Sequence, residues 1–199
     1  GLEVYGIERG YKGLIGGAIK RMDNRSVSGI IQRGGTVLKT DRCPEFKELK
    51  YQKRAIDVLN AFGIEGLIVI GGDGSFRGVK DLKNNFQYPG IGIPGTIDND
   101  LGYTNYTLGF DTACNTVLWA INNLRDTMTS HDRVCIIEVM GRKCGDIAIF
   151  SGLAGGAEIL LVPEVEVDLE KTSKKILQNE IKGKKSDIII LSEGVCDAE

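Results

Sequence analysis

Apolar residues recur along this chain in two rhythms. Short runs of aliphatic residues alternate with longer stretches in which apolar positions return every three or four residues, the strand and helix periods. Leu2 to Gly6 reads as a strand, and a glycine-punctuated region follows to about Asp23. Val27 to Arg33 has the pattern of a short helix, after which Gly34-Gly35-Thr36 turns the chain toward Arg42. Over 46–62, Phe46, Leu49, Ala55, Val58, Leu59 and Phe62 fall on one broad face, which predicts a helix ending at Gly63. Leu67-Ile68-Val69-Ile70 is β-rich and apolar on both faces, as in a parallel-sheet strand covered from both sides. Ile91 and Ile93 mark another strand.

The second half continues the alternation. Phe110, Ala113, Val117, Ala120, Ile121 and Leu124 predict an amphipathic helix, and 134–137 a strand. A helix follows over 146–153, a strand over 159–162, a helix over 169–182 with Ile176 and Ile181 inward, and a last strand over 188–191. Such alternation predicts an α/β fold with a parallel sheet and right-handed crossovers. There is no internal repeat and no obvious linker, although the acidic loop at 94–107 reads as a hinge between lobes.

Composition narrows the function classes. With 42% hydrophobic and 26% charged residues the 199-residue chain has ample material for a core. A net charge of −2 argues against non-specific nucleic-acid binding. No apolar run approaches the ~18 residues of a membrane span, and no signal peptide is visible. Neither a nucleic acid nor a membrane is therefore expected as a partner. Five cysteines (Cys43, Cys114, Cys135, Cys144, Cys196) lack metal-ligand spacing, and with one histidine, His131, they read as reduced thiols of a cytoplasmic protein. Gly1 stands where a Met would begin a chain, and both ends look cut from a longer protein.

Candidate chemistry gathers where predicted strands end. Pro94-Gly95-Thr96-Ile97-Asp98-Asn99-Asp100 places two carboxylates beyond such a strand, where α/β sheets bind ligands. Extended spacing would point Asp98 and Asp100 to opposite sides, one to take a proton from an alcohol and the other toward a metal. An acidic loop capping the next helix remains the competing reading. Gly71-Gly72-Asp73-Gly74-Ser75 opens a helix, whose free N–H groups suit an anion. Asp73 suits a bridging Mg²⁺, and Ser75 either caps the helix or donates to a phosphate. A tightly packed helix start is the alternative there. The pattern is neither a Walker loop, lacking its lysine, nor G-x-G-x-x-G. Arg42 lies in a Pro-bounded loop that could present its guanidinium to a phosphate, although without the other motifs an ordinary surface arginine is the default reading. Arg133 and Arg142 bracket the strand at 134–139, so they can lie at its opposite ends, and Glu193 follows the last strand. Lys182, Lys184 and Lys185 form either a solvated helix end or an anion site.

Gly71–Ser75, Pro94–Asp100 and Glu138-Val139-Met140-Gly141-Arg142 stand in an order and spacing that resemble the bacterial-type ATP-dependent 6-phosphofructokinases, across essentially the whole chain. The resemblance implies that family's three-layer, Rossmann-like parallel-sheet fold. It implies a nucleotide-binding lobe over 1–109, lacking its first strand and phosphate loop, and an incomplete sugar-phosphate lobe over 110–199. It implies phosphorylation of fructose 6-phosphate by Mg-ATP in glycolysis, with Asp98 as base, Thr96 beside the transferring group and Arg142 in support. Arg42, Cys43, Gly72, Asp73, Gly74 and Ser75 would contact ATP, and Asp73 would hold Mg²⁺ with Asp100 supporting it. Thr96, Ile97, Asp98, Met140, Gly141, Arg142 and Glu193 would bind the sugar phosphate, and Arg133 would reach that of a neighbouring subunit in a homotetramer. Arg125, Gly156, Ala157, Glu158, Lys182, Lys184, Lys185 and Ser186 match an allosteric nucleotide site. Gly74 and Gly95 stand where pyrophosphate-using relatives carry Asp and Lys, which favours ATP as donor. On this reading the 199 residues alone are inactive or nearly so. Two alternatives stand beside it. One is a kinase like those acting on NAD or diacylglycerol, which share Gly-Gly-Asp-Gly. The other is a non-catalytic nucleotide-binding regulatory subunit.

Overall fold

Strand and helix alternate from Val4 to Ser192 in the computed structural model, which describes residues 1–195; Cys196 lies outside them. The elements are β1 (Val4–Ile7), α1 (Gly10–Gly16), β2 (Ile19–Met22), α2 (Leu49–Ala61), β3 (Leu67–Gly71), α3 (Asp73–Phe86) and β4 (Gly90–Pro94). They continue with α4 (Phe110–Ser130), β5 (Cys135–Val139), α5 (Asp146–Ala154), β6 (Ile159–Leu161), α6 (Leu169–Ile181) and β7 (Ile188–Ser192). The chain forms two compact units, Gly1–Ile93 and Pro94–Glu199.

In the first unit the glycine-punctuated region is structured. It holds α1 and β2, and β1 pairs with β2 antiparallel, Val4 opposite Met22 and Ile7 opposite Ile19. The seven-residue α1 is too short for the crossover that a parallel pair requires. Gly13 lets this corner close: a Cβ there would lie 1.6 Å from the Glu8 carbonyl oxygen. The helix expected over 27–33 is absent and turns replace it. Gly29 at φ +67° breaks the helical path, and Ile31, 87% exposed, has no core to face.

Leu14, Phe46, Ala55, Leu59, Leu67, Leu82 and Tyr88 form the core of this unit. Leu49 on α2 and Phe62 just past its end prove exposed, whereas Gln52 is buried. The Gln52 amide donates to the Phe46 carbonyl at 2.9 Å and accepts from Asn85 at 2.8 Å, which removes the cost of its burial. β3 pairs with β4. Contrary to the two-sided expectation, Ile68 and Ile70 are 69% and 67% exposed. Leu67 and Val69 join the core on one face of the strand, and among the described residues nothing covers the other.

The second unit is built on a parallel sheet of order β5-β7-β6, with Cys135 opposite Ile188 and Ile159 opposite Ile189. β7 is central, and Ile188, Ile189 and Ile190 are all buried. Phe110, Ile121 and Met128 of α4 and Ile147 and Ala148 of α5 complete the core. α4 runs past Leu124 to Ser130. On α6, Ile181 is 86% exposed rather than inward, and the helix contributes no buried residue. No helix among the described residues is long and apolar enough to cross a membrane.

Candidate active site

β3 delivers the chain to Gly71, and α3 begins at Asp73. Gly72 is the N-cap, and no side chain caps the helix, so Ser75 does not take the capping role. The N–H groups of Ser75 and Phe76 return to the Gly72 carbonyl at 3.0 and 3.1 Å. The amides before them start the helix without intrahelical partners, which suits an anion. A Cβ on Gly71 would strike the Ser75 hydroxyl at 2.5 Å, so the loop needs glycine there. A Cβ on Gly74 would meet nothing within 4 Å, so packing does not demand that glycine. Asp73 is clasped by Arg77, Nε at 3.1 Å and Nη2 at 2.8 Å, one turn along α3.

Arg42 is exposed and has no ion pair among the described residues. It follows Asp41, which Lys12 holds at 2.8 Å and whose carboxyl that hydrogen bond lowers. Cys43 is half-buried, and burial pushes its thiol up, which keeps it protonated.

In the second unit the acidic loop leaves β4 at Pro94, whose carbonyl accepts from the Leu108 N–H at 2.7 Å. Asp98 is 8% exposed. Its N–H donates to the Thr96 hydroxyl at 3.2 Å, and Ile97 packs against the core. Burial pushes the Asp98 carboxyl up; Thr96 and Arg142 pull it down, Asp100 and Glu193 reinforce burial, and the net shift is upward. The two acids do not point apart. Arg142 Nη1 lies 3.9 Å from Asp98 Oδ2 and 3.6 Å from Asp100 Oδ2. Asn99 between them has φ +55°, which breaks the extended path on which the opposite-sides expectation rested.

Arg142 is presented by a loop in the left-handed region, Gly141 at φ +140° and Arg142 at φ +56°. Glu193 Oε1 accepts from the N–H groups of Gly141, at 3.0 Å, and Arg142, at 2.6 Å. Gly194 lies so close that a Cβ would sit 2.1 Å from the Arg142 carbonyl oxygen. Met140 beside it is exposed. Asp98, Asp100, Arg142 and Glu193 are thus brought together, whereas Arg133 precedes β5 and is separated from Arg142 by the length of that strand.

Other basic candidates in this unit have partners of their own. Glu158 Oε2 accepts from the Ile188 N–H at 2.6 Å, and Lys184 bonds its other oxygen. Burial raises the Glu158 carboxyl, but these two donors outweigh it and the net shift is downward. Lys184 also lies 3.8 Å from the buried Asp187, and Lys185 pairs with Asp132 at 3.3 Å. Arg125 donates to the Gly155 carbonyl beside Gly156 and Ala157. Lys182 and Ser186 flank Lys184 on the turn after α6.

Three residues that hold the acidic loop escaped the sequence reading. Asn99 accepts from the Thr107 N–H and donates to Asp146, and the legible signal was an asparagine between two aspartates, a residue tolerant of positive φ.

Comparison with known proteins identifies relatives of the chain. The family model described as phosphofructokinase matches residues 1–199. The chain is 58% identical over 195 residues to an ATP-dependent 6-phosphofructokinase of Clostridium botulinum, covering 98% of this chain and 61% of that one. It is 59% identical over 194 residues to the enzyme of that name from Clostridium tetani, covering 98% and 60%. It therefore spans about three-fifths of the length of these curated relatives. Among solved structures, Pichia pastoris phosphofructokinase in the T-state superposes with a TM-score of 0.86 at 33% identity, over 98% of this chain and 24% of that one. With its whole length matched by the family model, and with its acid and arginine loops built as described, this chain belongs to the phosphofructokinase family.

Proposed function

We propose that the protein carrying this chain transfers the terminal phosphoryl group of ATP to the 1-hydroxyl of fructose 6-phosphate, in glycolysis and in the cytoplasm. The observation that carries this reading is Asp98: a buried carboxylate, 3.9 Å from the Arg142 guanidinium and beside a second acid. An ionised Asp98 accepts the proton of the attacking hydroxyl, and Arg142 offsets the developing negative charge. The first unit, through Gly72–Ser75, Arg42 and Cys43, holds the nucleotide. The second, through Met140, Gly141, Arg142 and Glu193, holds the sugar phosphate.

Mg²⁺ fits the donor set. Mg²⁺ is commonly held through one or two carboxylates together with substrate phosphates, and Asp73 stands at the start of the helix proposed to receive those phosphates. Asp73 would hold it, since a carboxylate clasped by one arginine retains free lone pairs. Asp100 would support the region. The ion, when bound, neutralises charge on the transferring group.

The donor choice rests on Gly74. Packing leaves that position open, so its lack of a side chain leaves room for the α-phosphate of ATP. The homo-oligomer, with Arg133 reaching a neighbour's sugar phosphate and the Glu158 cluster as effector site, belongs to the same reading. A coupled assay on the purified full-length protein tests it. Turnover is expected with ATP and fructose 6-phosphate, and Asp98→Asn should lower kcat about 10²–10⁴-fold while ATP affinity stays within a few-fold. Turnover with pyrophosphate and not ATP would overturn the donor assignment.

A further inference from the structure

We infer that Asn99 is the positioning residue that sets both acids on the Arg142 side, acting through Thr107 and Asp146; this rests on the reading of Asp98 as the base. Residues two apart on an extended backbone face opposite ways. The φ of +55° at Asn99 interrupts that path, and both carboxylates come within 4 Å of one guanidinium nitrogen. Asparagine is among the few non-glycine residues that adopt this conformation readily.

The side chain then locks what the backbone has set. Asn99 Oδ1 accepts the Thr107 N–H at 3.0 Å, closing the loop from 99 to 107 on itself. Its Nδ2 donates to Asp146 Oδ2 at 2.7 Å and lies 3.4 Å from the Asn105 carbonyl oxygen. Asp146 is the first residue of α5, whose next residues, Ile147 and Ala148, are buried in the core. One amide therefore joins the acid-bearing loop to a rigid element. Small displacements of a reacting group cost rate steeply, so a tie from this loop to a rigid element bears on turnover.

Two exchanges separate the backbone role from the bond. Asn99→Asp tolerates the left-handed conformation and keeps an acceptor for Thr107, but sets a carboxylate against Asp146. Adding Asp146→Asn restores a donor and acceptor with their polarity reversed. In the full-length protein Asn99→Asp is expected to lower kcat roughly 10–100-fold with the KM for ATP within about threefold. The double variant should return kcat to within about threefold of the unmutated protein. Unchanged kcat in Asn99→Asp, or a double variant as impaired as the single, overturns the inference. The same holds if Asn99→Asp fails to fold and the double variant does not recover it.

Hydrogen exchange in the full-length protein supplies a readout independent of turnover. Asn99→Gly keeps the permissive backbone and loses the amide, so the Thr107 N–H should exchange at least about tenfold faster. Unchanged exchange overturns the tie. Should the unmutated full-length protein prove unable to phosphorylate fructose 6-phosphate, the reading of Asp98 falls, and the exchange measurement alone decides the role of Asn99.

Discussion

Asp98 shows how much one residue's surroundings decide. Its carboxyl is raised chiefly by burial, with Asp100 and Glu193 adding to the shift and Thr96 and Arg142 opposing it. A folded-state value above the ordinary 3.8 means that the folded protein holds this proton more tightly than the unfolded chain. Stability from this group is therefore lost as pH rises from 3.8 through the raised value, and above it the penalty is complete. Asp98→Asn removes that penalty, so at pH 7 thermal melting should show the variant at least as stable as the parent while turnover collapses. Since the proposed base must be ionised, the acid limb of the kcat/KM profile should lie above pH 3.8 and vanish in the variant. Gly194 is the second telling residue. A Cβ there meets the Arg142 carbonyl at 2.1 Å, a backbone atom that cannot swing aside. Gly194→Ala should raise the KM for the sugar phosphate more than that for ATP, because it shifts the loop that presents Arg142; steady-state kinetics with each substrate varied would read the difference.

Among the elements, strand and helix period was legible wherever apolar spacing and burial coincide. β7 is the clearest case: its apolar run, read from 188–191, occupies the centre of a parallel sheet with Ile190 fully buried. α2 was legible as a helix but not residue by residue, because Gln52 faces the core through two hydrogen bonds that no hydropathy pattern reveals. The antiparallel β1–β2 pair was hidden by glycines that look like loop punctuation until Gly13 is seen to fit against the Glu8 carbonyl. Leu59 of α2 is completely buried in the first unit's core, and Leu59→Ala should cost about 2–5 kcal/mol of unfolding free energy by chemical denaturation. Exposed Leu49 on the same helix should tolerate alanine within about 0.5 kcal/mol.

At the scale of the whole molecule, the proposed assembly makes its own prediction. Arg133 stands before β5 and Arg142 after it, so one subunit's strand separates them. If Arg133 serves a neighbour's site, Arg133→Ala and Asp98→Asn subunits are each impaired, yet a mixed oligomer contains sites in which both residues are intact. Co-refolding the two inactive variants should restore activity, roughly a quarter of the parent value for random pairing at a two-subunit site. No recovery in verified mixed oligomers would place Arg133 outside any shared site. The uncovered face of β3, with Ile68 and Ile70 exposed, also belongs to this scale, since whether an apolar strand face is covered depends on elements far away in the chain.

The amino-acid sequence by itself determined the alternation of elements, the order of the glycine, acid and arginine loops, and through them the family. Those properties follow from local spacing and residue chemistry, which are readable without coordinates. Only the tertiary structure decided that Asp98 and Asp100 share one arginine, that Glu193 holds the backbone of the loop presenting it, and that Asn99 ties the acids to α5. Each of these depends on a positive φ or on a contact between residues 47 or more positions apart in sequence for Asn99–Asp146, and 51 for Glu193–Arg142. Side-chain direction in such places is set by where the backbone turns and by what packs behind it, and the period of apolar residues carries neither.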